Sequence, residues 1–193
     1  MSKLIVVTGP SGVGKTTLGK FLIQNLKLKK IITCTTRKMR MSEKNGVDYV
    51  FFSRLEFNKL IKEDKFAEYA NVYGNLYGIL KNDIYGSLKT SHSLVVVDVQ
   101  GAENLKKMIK KDLFVVFLLP PSKREISERI SKRNQDSNAS HKKRINFLEK
   151  EILWSSNADI KVINDDLEKC KKELGKAVNS FLNSSESQKQ EAS

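Results

Sequence analysis

The feature that most constrains this chain is a glycine-rich segment near its amino terminus. It reads Gly9-Pro10-Ser11-Gly12-Val13-Gly14-Lys15-Thr16 and fits the P-loop pattern G-x-x-x-x-G-K-[ST] at every fixed position. The apolar run 4–7 before it is typical of a short strand. The residues after it have the spacing of one buried helix face, at Leu18, Phe21, Leu22 and Leu26. The motif thus falls between a strand and a helix, which makes a chance glycine-rich turn the weaker interpretation.

The chemistry of this segment predicts a site for phosphate groups. Its glycines allow successive backbone N–H groups to point at phosphate oxygens, and the amino terminus of the following helix adds partial positive charge. Lys15 would reach the outer phosphates of a nucleotide, and the hydroxyl of Thr16 would be a ligand for Mg²⁺.

Size and composition predict one domain with a small inserted lobe. The chain has 193 residues, and 39% of them are hydrophobic. It has no apolar run long enough to span a bilayer and no signal-peptide pattern, so we expect a cytoplasmic protein without a membrane partner. Cys34 and Cys170 have no metal-binding spacing, and we expect free thiols, with a disulfide as the minor alternative.

The formal net charge of +13 would suit a nucleic acid or membrane partner. The lysines are scattered, however, and no basic stripe is interleaved with aromatic residues. We therefore favour a general basic bias combined with a site for polyanionic phosphates, and a nucleic acid partner is unlikely on this pattern. The sequence contains no indication of oligomeric state.

The order of apolar runs predicts an α/β fold with a parallel sheet. Strands are expected at 31–34, 94–98, 113–119 and 159–164, with helices between them, and the apolar runs at 94–98 and 113–119 suit burial on both faces. The stretch between the first two of these strands is dense in glycines and aromatic residues. It predicts a strand at 49–52, a helix at 53–64 that opens with a capping box at Ser53–Glu56, a strand at 66–70 and a hairpin at 71–78. We predict a core of residues 1–34 and 81–182, an inserted lobe at 35–80, and a disordered tail at 183–193.

Three charged positions are candidates for ligand contacts. Arg37 and Arg40 follow a strand end and could clamp a phosphate, although surface charges have the same pattern. Asp98 ends a buried strand, where ligands gather in open α/β sheets, and is placed to meet Mg²⁺ or a substrate. The alternative for Asp98 is a carboxylate that orders the following turn.

A second arginine group brackets the polar segment 134–140. Arg129 and Arg133 lie one helical turn apart, and Arg144 opens the next helix. This composition predicts a lid at about 129–144 that closes over transferring phosphates. Two solvated helix faces are the alternative.

Several short strings in this order and spacing resemble the guanylate kinases over residues 3–182. They are Gly-Pro-Ser-Gly-Val-Gly-Lys-Thr-Thr, Thr-Thr-Arg followed by Arg40, Gly46-Val47-Asp48-Tyr49, Phe66-Ala67-Glu68, Gly74-Asn75-Leu76-Tyr77-Gly78, Asp98-Val99-Gln100-Gly101, Leu-Pro-Pro-Ser and Val-Ile-Asn-Asp-Asp. The resemblance implies a P-loop nucleoside monophosphate kinase fold, with a parallel sheet core, an inserted GMP-binding lobe and a lid. It also implies the reaction of ATP with GMP to give ADP and GDP, with Mg²⁺ accompanying ATP.

The resemblance also implies a role for each matching position. Residues assigned to GMP are Arg37, Arg40, Tyr49 and Tyr77 for the phosphate, Glu68 for guanine, and Thr33 and Asp98 nearby. Residues assigned to ATP are Gly9, Pro10, Ser11, Gly12, Val13, Gly14, Lys15, Thr16, Thr17 and, near the adenine, Asn164. The catalytic set is Lys15 with the lid residues Arg133 and Arg144. A carboxylate at position 68 suits guanine because it accepts hydrogen bonds from two adjacent N–H donors, a pair that adenine lacks.

Four positions depart from the family pattern. Thr33 replaces a serine but retains the hydroxyl, and Asn134 replaces a common glycine in the lid. Ile79 replaces a serine or threonine, which removes a base-pocket hydroxyl and weakens GMP discrimination by about 1 kcal/mol. Val96 replaces an acidic residue two positions before Asp98. We expect activity, with a slower rate or relaxed base choice as the consequence.

Two other functions remain open from the sequence. Guanylate-kinase-like domains also serve as protein-interaction modules, which typically have degraded P-loops, whereas this P-loop is intact. The departures at Ile79 and Val96 also suit a related kinase with another phosphorylated acceptor, such as a sugar phosphate.

Overall fold

A computed structural model describes residues 2–122, 125 and 148–184 of the chain. In chain order its elements are β1 (Leu4–Thr8), α1 (Lys15–Asn25), β2 (Lys29–Lys30), β3 (Cys34–Thr35), β4 (Val50–Phe51), α2 (Arg54–Lys62), β5 (Phe66–Val72), β6 (Asn75–Leu80), α3 (Lys81–Thr90), β7 (Ser93–Val96), α4 (Val99–Met108), β8 (Leu113–Leu119), β9 (Ile160–Ile163) and α5 (Leu167–Asn183). A helical segment at 148–154 and a 3₁₀ turn at Ser155–Asn157 precede β9.

Five parallel strands form the central sheet, in the order β2-β7-β1-β8-β9. Successive residues of β1 face opposite sides. Ile5 and Val7 pack in one hydrophobic cluster with residues of α1 and α5, whereas Leu4 and Val6 pack in another with residues of α3 and α4. Because helices cover both faces, the three central strands β7, β1 and β8 are mostly apolar, whereas the edge strand β2 consists of Lys29 and Lys30. This confirms the predicted α/β class.

A second sheet of four strands lies between residues 34 and 80, in the order β4-β3-β6-β5. Strands β5 and β6 form an antiparallel hairpin that turns at Tyr73-Gly74, both with positive φ. The helix α2 starts with a complete capping box between Ser53 and Glu56, as predicted. This sheet has its own cluster, in which the rings of Phe57 and Phe66 stack at 4.3 Å. The predicted domain boundaries remain predictions.

The expected strand at 31–34 is wrong, because the chain passes from one sheet to the other there. The N–H of Ile31 still donates to the carbonyl of Leu94 in the central sheet, at 2.9 Å. Two residues later, the carbonyl of Thr33 accepts from Val50 of the second sheet, at 3.0 Å. One apolar run in the sequence therefore serves two sheets.

Other boundaries differ by a few residues. Strand β7 ends at Val96 because Asp98 is already the N-cap of α4, which runs to Met108. Strand β8 has the predicted bounds.

Both cysteines, Cys34 and Cys170, are buried free thiols, as expected. At the carboxyl end, helix α5 continues to Asn183 with Ser184 as its C-cap, so the predicted tail begins later than residue 183. Residues 185–193 of that tail lie outside the described residues.

Among the residues that the structure describes, no helix combines the length and the apolar composition needed to cross a bilayer.

Candidate active site

A single cavity lies between the P-loop, the carboxyl end of β7 and the second sheet. Predicted donor-side residues on its wall are Ser11, Gly12, Gly14, Lys15, Thr16 and Thr17. Predicted acceptor-side residues on its wall are Thr33, Arg37, Arg40, Tyr49, Glu68, Tyr77 and Asp98. Residues that the sequence places up to 87 positions apart thus meet in one space.

The P-loop conformation depends on its glycines. Gly12 and Gly14 have φ angles of 85° and 100°, a region that side chains disfavour. Gly14 is the N-cap of α1 and, as a glycine, has no side chain that could cap the helix start. Gly14, Lys15 and Thr16 line the cavity, so the amino terminus of α1, with its partial positive charge, lies at the cavity wall, as an anion site requires.

The other predicted P-loop residues, Gly9, Pro10 and Val13, are not on the cavity wall and instead hold the loop in place. A Cβ added to Gly9 would lie 2.4 Å from the carbonyl oxygen of Leu118, so only glycine fits there. The side chain of Val13 is buried in the core. The carbonyls of Gly9 and Pro10 accept hydrogen bonds from Lys15 Nζ at 2.6 and 2.9 Å, which hold the ammonium group over the loop.

Asn164 follows β9 and lies against the P-loop backbone. Its Nδ2 donates to the carbonyl of Val13 at 2.8 Å, and a Cβ on Gly14 would lie 2.5 Å from the same nitrogen. The amide therefore fixes the curvature of the loop. The contact with adenine that the resemblance implies stays a prediction.

Arg37 and Arg40 converge on one carboxylate, that of Glu43. Arg37 Nη2 donates to both Glu43 oxygens, at 2.7 and 3.0 Å, and the backbone N–H of Arg40 donates to Oε2 at 2.9 Å. Burial acts to raise the pKa of Glu43, but these hydrogen bonds and the two arginine charges outweigh it and lower that pKa. The arrangement shows that the two arginines hold an oxyanion together.

Two tyrosines complete this end of the cavity. The rings of Tyr49 and Tyr77 meet edge to face at 6.2 Å, and the Arg37 guanidinium lies 5.5 Å from the centre of the Tyr49 ring. Burial raises the pKa of Tyr49, so its hydroxyl keeps its proton and can donate a hydrogen bond. This end of the cavity therefore offers cationic and hydroxyl donors, the chemistry that binds phosphate.

Glu68 lies deeper, on β5, and is 8% exposed. Burial raises the pKa of its carboxyl to about 7; a hydrogen bond from Asn104 opposes the rise, and the charge of Asp98 adds to it. Asn104 Nδ2 lies 3.4 Å from Glu68 Oε2. The carboxylate is thus a hydrogen-bond acceptor in a confined, weakly solvated position.

Asp98 orders the start of the following helix, as one of the sequence-based alternatives predicts, and its contact with Mg²⁺ or a substrate stays a prediction. Its Oδ1 accepts from the N–H of Gly101 at 2.9 Å, which caps α4, and its side chain also lines the cavity. Burial raises the pKa of this carboxyl, while the Gly101 hydrogen bond and the charge of Lys15 oppose the rise.

The two departures from the family pattern at Val96 and Ile79 lie in different surroundings. Val96 lines the cavity wall, so the missing carboxylate leaves an apolar surface there. Ile79 pairs with Glu68 across the hairpin but is fully buried in the hydrophobic cluster against the central sheet. Its side chain therefore contributes to the core of the protein.

The lid predicted at about 129–144, with Arg129, Arg133, Asn134 and Arg144, lies outside the described residues.

Three contacts were missed by the sequence analysis. They involve Glu43 with the arginines, Asn104 with Glu68, and the Tyr73 hydroxyl with Glu151 Oε1 at 3.2 Å across the cavity mouth. An acidic residue three positions after Arg40 could have indicated the first. The other two join residues 36 and 78 positions apart, and local sequence contains no signal for them.

Comparisons with known proteins agree on one family. The guanylate kinase family model matches residues 1–181. Guanylate kinase from Chlorobaculum tepidum is 40% identical over 167 residues, which cover 86% of each chain, and that from Porphyromonas gingivalis is 38% identical over 186 residues, which cover 94% of this chain and 99% of the other. The crystal structure of guanylate kinase from Anaplasma phagocytophilum superposes with a TM-score of 0.79 at 27% identity, over 94% of this chain and 86% of that one.

Proposed function

The chain belongs to the guanylate kinase family and is a kinase that converts GMP to GDP with ATP, and we propose that both nucleotides bind in the cavity described above. The observation that supports this site is that the P-loop residues and the seven predicted acceptor-side residues line the same cavity. Phosphoryl transfer needs little covalent work from the protein, and depends on positioning and on charge stabilisation. A cavity with phosphate-binding groups at one side and a base-reading carboxylate at the other meets that need.

The P-loop would hold the ATP phosphates. The start of α1 and Lys15 both lie on the cavity wall, where the helix amino terminus adds partial positive charge. Lys15 is held over the loop by the carbonyls of Gly9 and Pro10, so its charge is in place before ATP arrives. Such preorganised charge stabilises the charge that develops on the transferring phosphoryl group.

Thr16 fits the role of a Mg²⁺ ligand. It lies in the first turn of α1 and lines the cavity beside Lys15. The described residues include no group of three or more His, Cys, Asp or Glu side chains suited to a metal. A single protein hydroxyl, that of Thr16, suits Mg²⁺, because this ion keeps several of its waters and uses few protein oxygens together with substrate phosphates. When bound, Mg²⁺ would neutralise charge on the phosphate oxygens.

Arg37 and Arg40 would bind the phosphate of GMP, with the hydroxyls of Tyr49 and Tyr77 as further donors. In the structure the Glu43 carboxylate already gathers both arginines. A phosphate oxygen of GMP would then attack the terminal phosphorus of ATP, and the bond from that phosphorus to the leaving ADP oxygen would break. Arg133 and Arg144 stay predicted to stabilise this transfer.

Glu68 would read the base. As a carboxylate it accepts hydrogen bonds from the N1–H and the 2-amino group of guanine, with Thr33 and Asp98 close to the same end of the cavity. The loss of a charge-assisted pair of this kind costs roughly tenfold to a hundredfold in selectivity. Glu68 therefore separates GMP from an acceptor without a guanine base.

An acceptor panel tests this function. ADP release from ATP would be measured with GMP, dGMP, AMP, CMP, UMP and a sugar phosphate, and we expect GMP to be preferred. Glu68→Ala should lose GMP turnover while ATP binding by calorimetry persists. Glu103→Ala, an exposed carboxylate on α4, is the matched control and should resemble the wild type. No turnover with any acceptor would contradict the proposal and favour a binding module.

A further inference from the structure

We propose that Asn104 is a positioning residue that sets the base preference of this site, because it donates a hydrogen bond to the Glu68 carboxylate and keeps that group in its acceptor form. The inference rests on the proposed function, since it takes Glu68 as the group that reads the base. Asn104 itself lies behind the carboxylate and is not among the residues on the cavity wall.

The geometry of α4 places the Asn104 amide at the carboxylate. Helix α4 packs against β5, and its buried residues Ala102 and Leu105 fix its rotation on either side of Asn104. Asn104 Nδ2 lies 3.4 Å from Oε2 of Glu68. Among the described residues, no other hydrogen bond to this carboxylate is found, so the second oxygen remains available to a base.

The other surroundings of Glu68 oppose its charge. The side chain is buried, its partner across the hairpin is the apolar Ile79, and Asp98 adds a second negative charge. Several titratable and charged groups lie on the elements packed around Glu68 and on the cavity wall. They are Asp98 at the start of α4, Glu103, Lys106 and Lys107 on α4, Tyr69 on β5, Tyr77 on β6, Lys81, Asp83, Tyr85 and Lys89 on α3, and Lys15, Arg37, Arg40, Tyr49, Tyr73 and Glu151 on the cavity wall. Burial and Asp98 raise the pKa of Glu68 to about 7, and the Asn104 hydrogen bond is the influence that lowers it.

The charge state of Glu68 decides which base fits. A carboxylate presents two acceptors, which match the two N–H donors of guanine. A protonated carboxyl presents one donor and one acceptor, which match N1 and the 6-amino group of adenine. A group that holds Glu68 deprotonated near neutral pH therefore favours GMP over AMP.

The first test follows the Glu68 carboxyl directly. Its ¹³Cδ signal would be titrated by NMR in the full-length wild type, in Asn104→Leu and in Gln100→Leu. Gln100 is the matched control, because its amide also reaches from α4 to β5 but contacts the carbonyl of Asn71. We expect the midpoint to rise by about one pH unit in Asn104→Leu, since one hydrogen bond to a charged group is lost, and to stay unchanged in the control.

The second test measures kcat/KM for GMP and AMP at pH 7.0 and pH 8.5. A midpoint that rises from about 7 by about one unit lowers the ionised fraction about fivefold at pH 7.0 and by less than a factor of two at pH 8.5. Asn104→Leu should therefore lose about fivefold in kcat/KM for GMP at pH 7.0 and recover at pH 8.5. The AMP-to-GMP ratio should rise correspondingly at pH 7.0, with KM for ATP unchanged.

A loss of GMP turnover that is equal at both pH values, or an unchanged Glu68 midpoint, would overturn the inference. If Asn104→Leu fails to fold, the isosteric Asn104→Asp provides the same test, with a larger upward shift of the midpoint expected. A wild type without GMP preference would instead refute the proposed function, while the NMR titration still decides whether Asn104 controls Glu68.

Discussion

The guanidinium of Arg37 donates hydrogen bonds to both carboxylate oxygens of Glu43, at 2.7 and 3.0 Å, and both side chains are only 11% exposed. The same carboxylate accepts from the backbone of Arg40. Two arginine charges held close together repel each other, and the shared carboxylate offsets this repulsion. Under the proposed function, Glu43 therefore prepares both arginines for the GMP phosphate even though its own charge is negative.

Glu43→Ala should weaken GMP binding more than it slows transfer. Without the carboxylate, Arg37 and Arg40 lose their fixed orientation, and we expect KM for GMP to rise about tenfold, with kcat changed less than threefold. Steady-state kinetics at saturating ATP measure both values. Glu63→Ala removes an exposed carboxylate of a surface ion pair and should leave both unchanged. A fall in kcat with KM intact would instead place Glu43 in the transfer step.

Glu68→Gln should stabilise the protein above neutral pH while it removes activity. The pKa of Glu68 is about 7 in the folded protein, against an ordinary 4.5, so folding favours the protonated form. Wild type and variant should have equal stability below about pH 4.5, and the wild type should lose roughly 3 kcal/mol relative to the variant as pH rises through 7.

Thermal unfolding at pH 5 and pH 8 checks this expectation. Glu68→Gln should melt several degrees above the wild type at pH 8, with a much smaller difference at pH 5. The exposed Glu103→Gln should show no such pH dependence. A difference in melting temperature that is the same at both pH values would mean that Glu68 is not strained by its charge.

Asn164→Ala should affect the ATP side of the cavity alone. The change leaves the carbonyl of Val13 without its 2.8 Å donor, which costs about 1–3 kcal/mol of folding stability and loosens the P-loop. We expect a several-fold rise in KM for ATP by steady-state kinetics, with the Kd for GMP, measured by calorimetry, unchanged. Asn157→Ala, an exposed amide bound to its own turn, is the control. An unchanged KM for ATP would show that the loop holds its shape without Asn164.

The sequence predicts the three inner strands of the central sheet, β7, β1 and β8, well because they are buried on both faces. Strand β8 has the predicted bounds, since its apolar run is unbroken and the two prolines end it. The run at 31–34 fails because hydrophobicity does not show that Ile31 and Thr33 pair with different sheets. The position where the chain changes sheets depends on packing that the local pattern does not contain.

The candidate site shows the same contrast between residues that the local sequence predicts and residues whose contacts depend on the folded structure. Residues within motifs, such as Lys15 and Arg37, are predicted from spacing because the chemistry fixes their neighbours, and both line the cavity. Asn104 and Glu43 were missed because each acts on another side chain, through contacts that arise only after folding. The consequence assigned to Ile79 was incomplete for the same reason, because the sequence shows a lost hydroxyl but not the core position that the side chain fills.

Ile79→Ser separates these two effects. Because Ile79 is fully buried, the change should cost about 2–5 kcal/mol of folding stability by cavity formation, measured by urea denaturation. Ile79→Ala makes a similar cavity without a hydroxyl. If a hydroxyl beside Glu68 contributes to guanine recognition, Ile79→Ser should exceed Ile79→Ala in GMP-over-AMP selectivity by about fivefold, the value of one hydrogen bond. Equal selectivity in the two variants would mean that the missing hydroxyl at position 79 does not reduce the preference for GMP over AMP. The contribution of Ile79 would then be limited to the stability of the core.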